Sequence, residues 1–223
     1  MEIYNYIVSE CQKYADPSRA PGMKAYMKDN FEFYGISATL RKEILQHLKK
    51  KFDLKSSEHL SPLISHLWKA DQREMQYMAV DILTLNAALL NSSHMPMIEQ
   101  LIITKSWWDT VDAIASNIVG NIFQKDKVCR DKYVYRWIES DHMWLQRSAM
   151  IFQLKYGLQT DTDLLFEAIL KHDTSGEFFI RKSQGWALRQ YSKYNPLLVK
   201  QFVEANPQLS QLTKKEALRL MEK

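Results

Sequence analysis

Apolar residues recur three and four positions apart along most of the chain, the spacing that lines one face of an α-helix. Ile3, Tyr6, Ile7 and Cys11 make such a stripe and predict a first helix over residues 2–14. The turn residues of Asp16-Pro-Ser-Arg-Ala-Pro-Gly22 predict a loop, then a helix over 23–31 and a hairpin closed at Gly35. Ser37 stands where an N-cap belongs, ahead of a helix to about residue 52 with Leu40, Ile44, Leu45 and Leu48 inside. The other face of that helix carries Arg41, Lys42, Lys49, Lys50 and Lys51, which reads first as a solvated face and second as an edge for phosphates. Paired segments follow: 57–68 with 72–90, 93–104 with 107–123, 130–139 with 142–156, and 161–172 with 178–194. Pro196 opens a helix over 196–205, as suits a proline in a first turn, and a basic helix starts at Thr213. Connections this short suit antiparallel neighbours. There is no strand-like alternation and no linker long enough to divide domains, so one all-α domain over 1–223 is expected.

The second members of these pairs repeat. Rows of eleven residues starting at Arg73, Trp108, Trp144 and Phe179 can be set one above the other, each about 35 residues after the last. That period, with its helical pattern, is close to that of HEAT-like repeats, and predicts an α-α superhelical solenoid. Such arrays curve, and their second helices commonly line the concave side.

Several residues are out of place in a core helix. The stretch from Lys105 runs Ser-Trp-Trp-Asp-Thr-Val-Asp112, with Ser106 set to cap a helix. Trp108 and Asp112 are first and fifth in their row, Arg147 is fourth in the next, and Trp186 eighth in the one after. Offsets of 0, 3, 4 and 7 share one helical face. Each residue alone is better explained by packing or solvation. Two indoles, an acid and a base on corresponding faces of three successive repeats form the pattern of a binding site. Asp109 lies off that face, which suits a cap or an ion pair better than catalysis.

Composition narrows the classes. Of 223 residues, 46% are hydrophobic and 25% charged, which argues against disorder, and only 6 are glycine and 6 proline, which favours helix. A net charge of +4 permits a polyanionic partner without requiring one. Cys11 and Cys129 form no C-x-x-C pair and the six histidines show no ligand spacing, so no metal or other cofactor is expected. The first residues lack the pattern of a signal peptide, and no apolar run spans a bilayer, so a soluble cytoplasmic protein without membrane contact is expected.

At these residues the chain resembles the AlkD family of DNA alkylation-repair glycosylases over essentially its whole length. The resemblance is carried by Met23-Lys-Ala-Tyr-Met-Lys28 with Phe33-Tyr-Gly-Ile36, and by Thr104-Lys-Ser-Trp-Trp-Asp-Thr-Val-Asp112. It continues in Trp144-Leu-Gln-Arg147 with Phe152-Gln-Leu-Lys-Tyr156, and in Glu177-Phe-Phe-Ile180 with Gly185-Trp-Ala-Leu-Arg189. The resemblance implies a C-shaped stack with a concave, basic face holding double-stranded DNA. It implies excision of cationic alkylated purines, 3-methyladenine and 7-methylguanine, by a monomer that leaves the base stacked rather than flipped. Asp112 would then be the catalytic carboxylate, Trp108, Trp186 and Tyr26 the aromatic cradle, and Arg147 a phosphate contact. Lys105, Arg181, Lys182 and Arg189, and also Lys155, are further candidates for phosphates, with solvated helix faces as the alternative for each. No lysine shares the Trp108/Asp112 face of its helix, so a lyase nucleophile is not indicated. Two alternatives stand beside this reading: a DNA-binding member without catalysis, and a helical-repeat scaffold for a protein partner.

Overall fold

A computed structural model describes residues 2–54 and 57–221. Among them the only regular structure is helical, apart from one isolated bridge between Glu32 and Gln72. The chain divides into two compact units, residues 1–89 and 90–223.

The first unit holds α1 (Glu2–Lys13), α2 (Ala20–Tyr26), α3 (Ala38–Lys51), α4 (Ser57–Lys69) and α5 (Arg73–Leu85). Ser37 caps α3 as expected, accepting from the Leu40 amide at 3.2 Å. The expected loop over 16–22 is shorter, because α2 already starts at Ala20 with proline in its first turn. The helix expected to reach residue 31 stops at Tyr26, where Lys28 and Asp29 turn into the left-handed region at φ 57° and 59°. The chain then folds back over α5. The buried Glu74 carboxylate accepts from the amides of Tyr34, Gly35 and Ile36 at 2.9–3.0 Å.

The second unit holds α6 (Met95–Ile103), α7 (Trp108–Ala113), α8 (Gly120–Lys125), α9 (Lys127–Ile138), α10 (Met143–Ile151), α11 (Thr162–Leu170), α12 (Phe178–Ser192), α13 (Pro196–Ala205) and α14 (Gln211–Leu218). Between α7 and α8 the residues Ile114–Val119 form a π-helical segment, so the helix runs unbroken but locally widened. Second helices start at residues 73, 108, 143 and 178, 35 residues apart each time, as the repeat requires. A buried glutamine recurs as fastener: Gln76 donates to the carbonyls of Leu67, Trp68 and Ala70, and Gln184 to those of Ile169 and His172. Each satisfies the open C-terminal carbonyls of the first helix in its own pair. α12 and α14 approach closely at Gly185, where a Cβ would stand 2.5 Å from Glu216 Cβ and 2.8 Å from the Thr213 carbonyl oxygen. No helix is long and apolar enough to cross a membrane among the described residues.

Candidate active site

The entry to α7 differs from the expectation. Ser106 does not cap it; Trp107 occupies the cap position in extended backbone, with no side-chain cap bond. Lys105 takes the left-handed φ of 47°, and this sharp reversal leaves Ser106 beside the end of the preceding helix. There its hydroxyl donates to the Ile102 carbonyl at 2.6 Å. Lys105, proposed from sequence for phosphate, is thus a part-buried turn residue.

One turn into α7, Asp112 meets α10. Arg147 donates from Nε to Asp112 Oδ1 and from Nη2 to Oδ2, both at 2.7 Å, a parallel two-bond fork. Its Nη1 donates to the Phe179 carbonyl on α12 at 2.6 Å. Three consecutive second helices are therefore tied through one guanidinium. Arg147 is only 3% exposed, so the residue expected to face a phosphate is mostly enclosed and committed to the carboxylate.

An aromatic wall adjoins the pair through Phe179. The rings of Trp107, Trp144 and Phe179 pack mutually, with centroids 5.9 Å, 5.2 Å and 5.0 Å apart. The Arg147 guanidinium carbon lies 5.8 Å from the centre of the Phe179 ring. Burial pushes the Asp112 carboxyl above the ordinary value of 3.8; Arg147 pulls it back, Asp109 adds to the rise, and the net direction is upward. Asp109, expected to serve as a cap or in an ion pair rather than in catalysis, lies in the first turn of α7, where its charge adds to the rise of Asp112.

The other expected residues fall in three places. Trp108 opens α7 and is part-exposed one turn before Asp112. Trp186 is part-exposed on α12, seven residues beyond Phe179 and so on the same face as the ring beside Arg147. Tyr26 belongs to the first unit and is 68% exposed, where it lines an open hollow with Arg19, Met23, Phe33 and Tyr77. Of the basic candidates, Lys182 and Arg189 both pair with Glu216 on α14, and Arg181 donates from Nε to the Ser175 carbonyl at 2.6 Å. Lys155 is exposed. Burial pushes Glu216 up, but its two cations outweigh that and hold it below the ordinary carboxylate value.

Phe179, not singled out from sequence, lies against Arg147 with both its ring and its carbonyl, and Trp144, likewise not singled out, packs on that ring. Their signal was available: each begins its eleven-residue row, as Trp108 does. The neighbouring Trp107 joins them in the wall.

Among curated proteins nothing matches the chain. Among solved structures, a predicted DNA alkylation repair enzyme from Enterococcus faecalis superposes with a TM-score of 0.87 at 32% identity, over 94% of this chain and 97% of that one. AlkD2 from Streptococcus mutans superposes with a TM-score of 0.63 at 16% identity, over 90% of this chain and 98% of that one, and so shares the fold. The family model described as DNA alkylation repair enzyme matches residues 7–221, a span that takes in the carboxylate, its guanidinium partner and the aromatic wall. On that match, and on the Enterococcus likeness along almost the whole chain, this protein belongs to the DNA alkylation repair enzyme family.

Proposed function

We propose that the chain is a monofunctional DNA glycosylase that hydrolyses the N-glycosidic bond of cationic alkylated purines, such as 3-methyladenine and 7-methylguanine, in double-stranded DNA. The observation that supports this most directly is a part-buried carboxylate held by a bidentate arginine, in a chain of the alkylation repair family. Alkylation at N3 or N7 leaves the purine positive, so it departs as a neutral base and needs no general acid. The sugar left behind becomes oxocarbenium-like, and a fixed anion beside it lowers that barrier. One carboxylate then suffices where ordinary glycosidases use two.

Each residue has a share in this. Arg147 favours the ionised form of Asp112 against the pull of burial and fixes its plane. A carboxylate has about four acceptor positions, and Arg147 takes one on each oxygen, leaving others for the attacking water. Three of the five guanidinium N–H groups are used inside the protein and the side chain is enclosed, so the phosphate contact assigned to Arg147 requires the site to open on DNA. Trp108 and Trp186 offer indole faces to the charged nucleoside, and Tyr26, in the first unit, is a separate aromatic candidate for contact with DNA. Lys105 and Arg181 are the further candidates for the DNA backbone, joined by Lys182 and Arg189 where these leave Glu216. The enzyme works as a cytoplasmic monomer of one domain, and selectivity comes from the lability of the cationic lesion while the base stays stacked.

The test is release of 7-methylguanine from methylated duplex DNA by the wild type and by Asp112→Asn, with melting curves for both. Release by the wild type and its loss in a folded Asp112→Asn support the enzyme. Salt-dependent binding of duplex DNA without release favours the non-catalytic member, and neither binding nor release favours a protein scaffold.

A further inference from the structure

The helix that carries Asp112 is fixed to α10 and its C-terminal continuation at two points. The first is the Asp112–Arg147 fork. The second is Gly120, whose carbonyl accepts from the Tyr156 hydroxyl at 2.7 Å and whose absent Cβ would stand 2.4 Å from the Phe152 carbonyl oxygen. In a regular α-helix, residues eight positions apart point about 80° away from each other. Absorbing one residue in a π turn brings the two to about 20°, so that both can face one neighbour. The segment Ile114–Val119 is that π turn, and the Gly120 amide reaches back five residues to the Ala115 carbonyl. Within it the Ser116 hydroxyl donates to the backbone carbonyl of Asp112 itself at 2.7 Å.

We propose that the π segment is a positioning device for the catalytic carboxylate, and that Ser116 is the positioning residue that latches it. The widened turn sets the rotation at which Asp112 meets the Arg147 fork while Gly120 stays seated on Phe152. A widened turn is less favourable than the α-helix it replaces. The Ser116 hydroxyl compensates by occupying the Asp112 carbonyl from the side chain. Removing that hydroxyl lets the turn relax towards α-helix and swings Asp112 off the plane of the guanidinium. This inference rests on the proposed glycosylase reading.

The test compares wild type, Ser116→Ala, Ser116→Thr and Asp112→Asn in single-turnover excision of 7-methylguanine across acidic pH, with affinity for unmodified duplex DNA measured beside it. Ser116→Ala is expected to excise more slowly by on the order of tenfold, the cost of a small misplacement at a reacting centre. Its affinity for unmodified DNA should stay at the wild-type value. The acid limb of its rate should move to higher pH, because a loosened Arg147 holds Asp112 ionised less well. Ser116→Thr, which keeps the hydroxyl, should restore both rate and limb. Wild-type rate and limb in Ser116→Ala, or a slower rate with an unmoved limb, would overturn the inference and leave Ser116 a structural residue. If Asp112→Asn also excises at the wild-type rate, the glycosylase mechanism itself fails, and the two failures are thereby told apart.

Discussion

Taking a carboxylate out of water costs several kcal/mol, and the two bonds of a single guanidinium offset only part of that for Asp112, whose carboxyl stays above its ordinary value. Half of such a pair is worse than none. Arg147→Met should lower unfolding free energy by about 3 kcal/mol, because it strands a buried charge. Adding Asp112→Asn to it should recover much of that loss in urea unfolding, since the stranded charge is then gone. Additive losses in the double variant would mean that the two side chains do not depend on each other. The sign of the pH effect follows from the raised Asp112 value. Protonation is favoured in the folded state, so this group's contribution to stability is full below its unfolded pKa and is lost as pH rises through the folded one. Sequence placed Asp112 and Arg147 on corresponding faces of successive helices. It could not show that they touch, because the helical period gives direction and not distance, and Arg147 was therefore assigned only to a phosphate.

At the scale of elements, the C-terminal helices illustrate how candidate DNA contacts can be spent inside the protein. Glu216 on α14 holds Lys182 and Arg189 of α12, and Gly185 between them lets the two helices close up. Gly185→Ala should destabilise by about 1–3 kcal/mol, the usual cost of overpacking, because backbone and a Cβ stand in the way. A melting temperature at the wild-type value would show that α14 yields freely. Glu216→Gln should cost about 1–2 kcal/mol near neutral pH, as expected for losing hydrogen bonds to a charged group. The folded Glu216 value is depressed, so its stabilisation is present above the unfolded value of 4.5 and lost as pH falls through the folded one. Acid should therefore destabilise Glu216→Gln less than it does the wild type. The repeat period, the cap at Ser37 and the first-turn Pro196 were legible in the sequence because they are local. The π turn was not, since Ile-Ala-Ser-Asn-Ile-Val has ordinary α-helical spacing and the groups that Gly120 seats against, at Phe152 and Tyr156, are distant in sequence. The Ser106 cap failed for a similar reason: the turn at Lys105 was invisible in residue type.

For the molecule as a whole, a net charge of +4 is a modest attraction for a polyanion, and most of it must act through cations that remain near the surface. Affinity for undamaged duplex DNA should fall linearly on a log–log plot against salt, by about 0.9 in slope for each phosphate neutralised. Glu216→Gln should steepen that slope if the released Lys182 and Arg189 reach phosphates; an unchanged slope would remove both from the DNA face. The overall fold class followed from periodicity, whereas the chemistry required the family resemblance, because no catalytic spacing in the chain is specific by itself. The account turns on an ionised Asp112 acting on the sugar of a cationic lesion, and the single-turnover rate of 7-methylguanine release against pH tests it most directly. The expected result is a rate that rises with pH through one ionisation above the ordinary carboxylate value of 3.8, and that is absent from Asp112→Asn. Absence of release by the wild type, or an equal rate from a folded Asp112→Asn, would contradict it.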